Sequence, residues 1–281
     1  MQKQAITIEH IQQFQSHLRR EERSAGTIEN YLRHLRQFAA FLDGGPVTKE
    51  RTRAWKDHLM ERGYAPVSVN AMLASVNKFL DWISWTECRV KPLRIQRKLF
   101  RDASRELSRG EYLRLTKTAR GLGRERLALL METICATGIR VSELRYITVE
   151  AAQKGRADIS LKGKIRTILL PGKLRRKLLK YAQAQKTASG EIFLTRGGAG
   201  ISRKQIWAEM KQLCRQADVP HGKVFPHNLR HLFARTFYRV CRDLSRLADV
   251  LGHASLETTR IYLLSSGTEH VHTLEKLHLL L

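Results

Sequence analysis

Apolar residues recur at three- and four-residue intervals along the first third of the chain. Ile8, Ile11, Phe14 and Leu18 form one such series and Tyr31, Leu35, Phe38 and Leu42 another; this is the spacing of amphipathic helices. Ser24, Thr27, Thr48 and Ser68 stand where N-caps or first turns belong, while "GGP" at 44–46 and "RGYAP" at 62–66 interrupt the pattern. Four short helices are predicted between Thr7 and Trp85. Helical spacing resumes from Glu106 through Leu130 and Ile139 to Leu144. The stretch "ADISLKGKIRTILLP" at 157–171 then alternates around a "KGK" turn, which predicts a β-hairpin in a small sheet. Helices follow over about 174–184 and 202–217, and the chain stays mostly helical to Leu281. The fold class is mainly α (α+β): an all-helical N-terminal part, then a mostly helical part with one small hairpin.

Between these parts, residues 87–105 lose apolar periodicity and carry seven Lys or Arg against two acidic residues. The division expected is 1–88 as a helical domain, 89–105 as a basic linker and 106–281 as a second domain. Basic character extends well beyond the linker. Over the 281 residues, 51 Lys and Arg face 26 Asp and Glu, a formal net charge of +25. A dispersed excess suits a long polyanion, because each cation that neutralises a phosphate also releases condensed counterions. A nucleic acid is therefore the expected partner. Cys88, Cys135, Cys214 and Cys241 include no CxxC pair and are expected as reduced, packed thiols. No signal-like N-terminus or apolar span appears, so a cytoplasmic protein without a membrane partner is expected.

Polar residues that their local pattern does not need stand out in four stretches. Arg140 lies amid Ile134, Ile139, Val141 and Leu144, and Arg230 is flanked by Leu229 and Leu232. A guanidinium in such surroundings needs an anion or carries a desolvation cost. Two buried arginines can hold the non-bridging oxygens of one phosphate, a histidine can donate or move a proton, and a tyrosine can act as nucleophile. That set describes phosphoryl transfer without a metal. His227 and His231 are four apart, but no HExxH glutamate accompanies them and no carboxylates cluster for Mg²⁺. Neither metal nor cofactor is expected.

The stretches "ATGIRVSEL" at 136–144, "HNLRH" at 227–231 and "LGHASLETTRIY" at 251–262 closely resemble the three signature boxes of the tyrosine site-specific recombinases, the lambda-integrase and Xer-like family. The helical half, with "SAGTIENYLRHLRQFAAFL" at 24–42, resembles that family's core-binding domain. The resemblance implies that Arg140 and Arg230 clamp the scissile phosphate, that His253 donates to it, that His227 assists proton removal and that Tyr262 attacks. A hairpin lysine would be the general acid: Lys162, which precedes Gly163, with Lys164 as competitor. Glu143 either orients an arginine or caps a solvated face, and the first is favoured. His231, next to Arg230 on the helix, is expected to point to a different side and to act either in packing or in supporting the residues that touch the phosphate. Leu232 and Arg235 stand where the family commonly has a threonine and a small or hydroxyl residue.

The same resemblance implies double-stranded DNA as the partner and a homotetramer on it that exchanges C-terminal helices between protomers, with accessory proteins possible. Val271, Leu274, Leu277 and Leu281 lie on one stripe of that tail, with Leu280 beside it. Arg33, Arg36, Lys78, Arg203 and Lys204 are candidate DNA contacts. Two rival functions stay open on the sequence: type IB topoisomerase-like cutting and religation, and a catalytically silent DNA-binding regulator.

Overall fold

The computed structural model describes residues 4–96, 103–161, 164–253, 255–262, 271, 275 and 276. The chain divides into two compact units, Met1–Arg97 and Lys98–Leu281.

The first unit holds the four predicted helices: α1 (Ile8–Arg20), α2 (Ala25–Leu42), α3 (Lys49–Glu61) and α4 (Pro66–Trp82). Hydroxyl side chains start three of them. Thr7 accepts the His10 backbone N–H, Ser24 that of Thr27 and Thr48 that of Arg51, each satisfying a donor the helix cannot. α4 begins instead with Pro66 in its first turn, where the missing N–H has no intrahelical partner to lose. Phe14, Leu18, Leu32, Leu35, Phe38, Trp55, Leu73 and Phe79 fill the core, and the Phe38 and Trp55 ring centroids lie 4.9 Å apart.

The chain stays attached to this unit beyond residue 88, the boundary expected from the sequence. Asn77 Nδ2 donates to the Val90 carbonyl at 2.9 Å and Asn70 Nδ2 to the Leu93 carbonyl at 2.9 Å. Their Oδ1 atoms accept the Val90 and Leu93 N–H groups at 3.3 and 2.7 Å. Two asparagines two helical turns apart thus hold 90–93 against α4 as a neighbouring strand would. The division at Arg97 falls inside the predicted linker, of which 97–102 lie outside the described residues.

The second unit contains α5 (Arg109–Gly121), α6 (Glu125–Thr137), a 3-10 turn Val141–Tyr146, α7 (Val149–Lys154), β1 (Arg156–Leu161), β2 (Lys164–Leu169), α8 (Gly172–Ala184), α9 (Arg203–Gln216), α10 (Pro226–Cys241), α11 (Leu244–Leu251) and α12 (Leu256–Arg260). Leu127, Ala128, Leu129, Leu130, Met131 and Ile134 are all buried, so α6 runs through the core, as a helix apolar on every side must. β1 and β2 form the predicted antiparallel hairpin, with Leu161 opposite Lys164. Ile168 and Leu170 face the core while Ile165 and Leu169 are 82 % and 75 % exposed. Arg166, in phase with Ile168, therefore points inward.

The residues that depart from the family's usual pattern have packing partners. Leu232 lies against the main core. Arg235 pairs with Glu106 and donates to the Leu107 carbonyl at 2.8 Å, fastening α10 to the start of the unit. All four cysteines are free thiols, and no helix among the described residues is long and apolar enough to cross a membrane.

Gly138 ends α6 at φ +65°, and a Cβ there would stand 2.5 Å from the Phe233 ring. Both the left-handed backbone and the close approach require glycine. Gly138→Ala is expected to lower the unfolding free energy by about 2 kcal/mol, seen as a shifted urea midpoint at unchanged m. Gly121→Ala, where nothing lies within 4 Å, is the control and should change stability by less than about 1 kcal/mol.

Candidate active site

The site is assembled on the first turns of α10. Positions i, i+3 and i+4 of a helix share a face, and His227, Arg230 and His231 occupy them. Arg230 is only 2 % exposed. Its guanidinium donates to the Gly138 carbonyl at the end of α6, and to the Leu251 carbonyl at the end of α11 at 2.8 Å. Carbonyls at helix C-termini lack intrahelical partners and carry the negative end of the helix dipole. One cation thus caps two helices. Burial, reinforced by the neighbouring Arg140, pushes the Arg230 pKa down to about 10, with the Tyr262 phenol opposing the fall; the group is charged at neutral pH.

Arg140 differs from the sequence expectation of a second buried arginine. Its side chain is 39 % exposed, because the left-handed turn at Gly138 releases the chain from α6 and Ile139 takes the buried place. Glu143 is the buried member of this turn, with its side chain 3 % exposed. Its Oε2 accepts the Arg140 backbone N–H at 2.8 Å and its Oε1 accepts Arg140 Nη1 at 3.0 Å. A third arginine joins them: Arg166 Nη2 also donates to Glu143 Oε2. Burial alone raises the Glu143 pKa, but the Arg140 N–H and the two guanidinium groups outweigh it, leaving the carboxyl below its ordinary range.

The third segment follows α11. Gly252, at φ +63°, turns the chain over the Arg166 side chain, and Arg140 Nη2 reaches the Gly252 carbonyl at 3.5 Å. His253 Nε2 lies 3.0 Å from Arg230 Nη2, and its Nδ1 lies 2.8 Å from the buried Thr259 hydroxyl. Arg230 can only donate, so Nε2 accepts and the ring proton sits on Nδ1, facing Thr259. Burial and then the cations Arg230, Arg140 and Arg166 push the His253 pKa down to about 4.

Tyr262 is 5 % exposed and packs with Ala234, Leu247 and Leu251. Its ring is nearly parallel to His253, with centroids 6.0 Å apart, and edge-on to His231 at 4.7 Å. His231 is in turn edge-on to His227 at 4.5 Å. The expectation that His231 turns away from this face does not hold: the i, i+4 spacing stacks it on His227, between that residue and the tyrosine. Burial, then His227, Arg235 and Arg230, push the His231 pKa down to about 4. Burial also lowers that of His227, with Arg230 and Arg140 adding to the effect.

The structure therefore brings together Arg140, Glu143, His227, Arg230, His231, His253 and Tyr262. Lys162 and the C-terminal stripe from Leu274 onward lie outside the described residues; Lys164 opens β2. Arg33 and Arg36 are exposed on α2, and Arg203 and Lys204 at the start of α9. Lys78 is engaged elsewhere: its ammonium lies 2.7 Å from Glu21 and holds that carboxyl down to about 2. Among the described residues, no group of three or more His, Cys, Asp or Glu side chains is placed to hold a metal ion.

Two residues of the site escaped sequence reasoning. Thr259 carried no signal. Arg166 did, since strand alternation puts it on the face of Ile168 and Leu170.

Comparison with known proteins identifies the family and the fold. Residues 105–268 match the phage integrase family and residues 11–87 match the phage integrase N-terminal SAM-like domain. The chain is 30% identical to tyrosine recombinase XerC of Roseiflexus castenholzii, over 94% of this chain and 92% of that one. It is 27% identical to tyrosine recombinase XerA of Pyrococcus furiosus, over 100% and 98%. Its fold is that of the Tn1549 transposon integrase solved in complex with transposon right end DNA (TM-score 0.72, 14% identity, 96% of this chain and 99% of that one). It is equally that of lambda integrase solved as a tetramer bound to a Holliday junction (TM-score 0.73, 17% identity, 92% and 77%). With both units matched in order and the three arginine, histidine and tyrosine segments converging on one site, the chain belongs to the phage integrase family of tyrosine recombinases.

Proposed function

We propose that this protein is a site-specific DNA recombinase that cuts and rejoins strands through a 3′-phosphotyrosine intermediate, in a tetrameric complex and without metal or ATP. The observation that carries this reading is the convergence of Tyr262 with Arg230 and His253, beside the Arg140–Glu143–Arg166 cluster. Three guanidinium groups less one carboxylate leave a net charge of +2 around the site, from Arg140, Arg166, Arg230 and Glu143. A phosphodiester carries one negative charge and its pentacoordinate transition state two. Fixed cations that gain attraction as charge develops stabilise the transition state over the ground state.

Arg140 and Arg230 bind the non-bridging oxygens. The Tyr262 oxygen attacks phosphorus as its proton passes to His227, and Lys162 protonates the departing 5′ oxygen, with Lys164 the alternative. One P–O bond forms as another breaks, so the phosphotyrosine retains the diester's bond energy and a 5′-hydroxyl from a partner strand reverses the step without ATP. His253 accepts from Arg230 in the free protein. To donate to phosphate through Nε2 it must release that contact, which a bound anion favours by competing for the same guanidinium, and carry a proton on Nε2, by moving it from Nδ1 or by protonation of the ring. The basic first unit and the exposed Arg33, Arg36, Arg203 and Lys204 supply backbone contacts, and the C-terminal apolar stripe docks on a neighbouring protomer.

Incubation with labelled DNA from the regions flanking the gene, followed by detergent denaturation, should yield a covalent adduct that Tyr262→Phe abolishes. Arg230→Ala should slow its formation by about 10²–10³-fold. DNA binding with no adduct, even on nicked trapping substrates, would favour a silent regulator, and religation confined to the same strand a topoisomerase-like enzyme. A substrate whose leaving 5′ oxygen is replaced by sulfur needs no general acid. Lys162→Ala should fail on the oxygen substrate and recover on the sulfur one, whereas Lys164→Ala should cut both.

The histidines also set an acid limit. An unfolded chain protonates histidine near pH 6.5, while His231 and His253 in the fold wait until about 4. The unfolded state binds more protons between those values, so stability falls as pH drops from about 6.5 to 4. The melting temperature should be lower at pH 5 than at pH 7.5, by a smaller margin in His231→Asn.

A further inference from the structure

In the scheme above Arg166 only adds to the charge around the site and touches no reacting atom, yet its side chain is largely buried where three site segments meet. Its side chain is 13 % exposed, an unusual state for an arginine without a matching partner. One terminal nitrogen, Nη2, donates to Glu143 Oε2. The other, Nη1, donates to the Val250 carbonyl at 3.1 Å, near the end of α11 and three residues before His253. The aliphatic stem lies under Gly252, where a Cβ would come within 2.5 Å of Cδ. The strand that carries Arg166 begins with Lys164.

We infer that Arg166 is a positioning residue that ties the hairpin, the Arg140 turn and the His253 turn into one rigid frame for the scissile phosphate. The inference rests on the recombinase reading for its catalytic consequence, although the tie itself is a property of the fold. The guanidinium fork is what makes one side chain sufficient, since its terminal nitrogens point to different segments. Glu143 completes the frame by dividing its oxygens: Oε2 serves Arg166 and the Arg140 backbone N–H, and Oε1 serves Arg140 Nη1. Without Arg166, a buried carboxylate would keep Arg140 as its one guanidinium partner among the described residues, and would draw that side chain inward, away from a phosphate. The His253 turn would lose its bond through Val250. Arg166 is assigned no phosphate contact: two of its five N–H donors hold Glu143 and Val250, and its Nε is buried.

The test uses the full-length protein with Arg166→Gln and Arg166→Lys, in three measurements. Adduct formation under single turnover at saturating protein should slow about 10²-fold in Arg166→Gln, as for a reacting group misplaced by about an ångström. The DNA Kd should stay within about twofold of wild type. Amide hydrogen exchange should quicken at least about tenfold at 140–143 and 250–253 while the remaining core keeps its protection. The cleavage rate of Arg166→Gln should also gain an acid limb, since Glu143 with one cation fewer takes up a proton at higher pH. The Glu143→Gln/Arg166→Gln double variant should lack that limb. Arg166→Lys restores charge without the fork and should fall between.

Arg166→Gln cutting at the wild-type rate with unchanged exchange would overturn the assignment. Uniform loss of protection in both variants would overturn it as well, by making Arg166 a general stabiliser. A wild type that forms no adduct, while the exchange change stays confined to the two segments, would sink the recombinase reading and leave the tie supported.

Discussion

The guanidinium of Arg230 is the point on which the catalytic unit is organised. It is buried between the ends of α6 and α11, and satisfies carbonyls from both. A buried arginine is tolerated only with such partners. Here they also locate the segments that bear the other site residues, because Arg140 follows Gly138 and His253 follows Leu251 within two residues. The same hydrogen bonds therefore close the fold and set the geometry of the site. The positive centre exists before any anion arrives, so little reorganisation is needed when one does.

Around this centre the charge is unevenly distributed by design of the packing. The cations are arginines, which stay ionised when buried, whereas the three histidines beside them are held in the neutral form by burial and by those same cations. A neutral imidazole next to Tyr262 is able to accept a proton; an imidazolium is not. Among the described residues, Glu143 is the one carboxylate that binds Arg140 and Arg166 together. Its burial would be prohibitive alone and is offset by two guanidinium groups and a backbone N–H.

How far the site could be read in advance differs from residue to residue. Arg140, Arg230, His227, His253 and Tyr262 were legible because each sits in a local sequence context that marks it. His231 was misplaced on the helix by comparison with its neighbour Arg230, when its i, i+4 relation to His227 was the governing one. Arg140 was expected in apolar burial from its sequence neighbours, but a left-handed glycine two residues earlier redirects the chain. Lys78 carried the right charge for a DNA contact, and a distant carboxylate, Glu21, claims it. In each case the deciding partner lies in another turn or element.

Periodicity by itself determined the four N-terminal helices, the hairpin and the mainly helical class, since amphipathic spacing and capping are local properties of the chain. The family, too, was legible, because its boxes are contiguous. Tertiary structure alone decided that residues 90–93 belong to the first unit, that Arg230 joins two helix ends, and that Arg166 shares a carboxylate with Arg140. Those outcomes depend on contacts between residues 13 to 92 positions apart, and no local pattern encodes which distant carbonyl or carboxylate a buried donor will find.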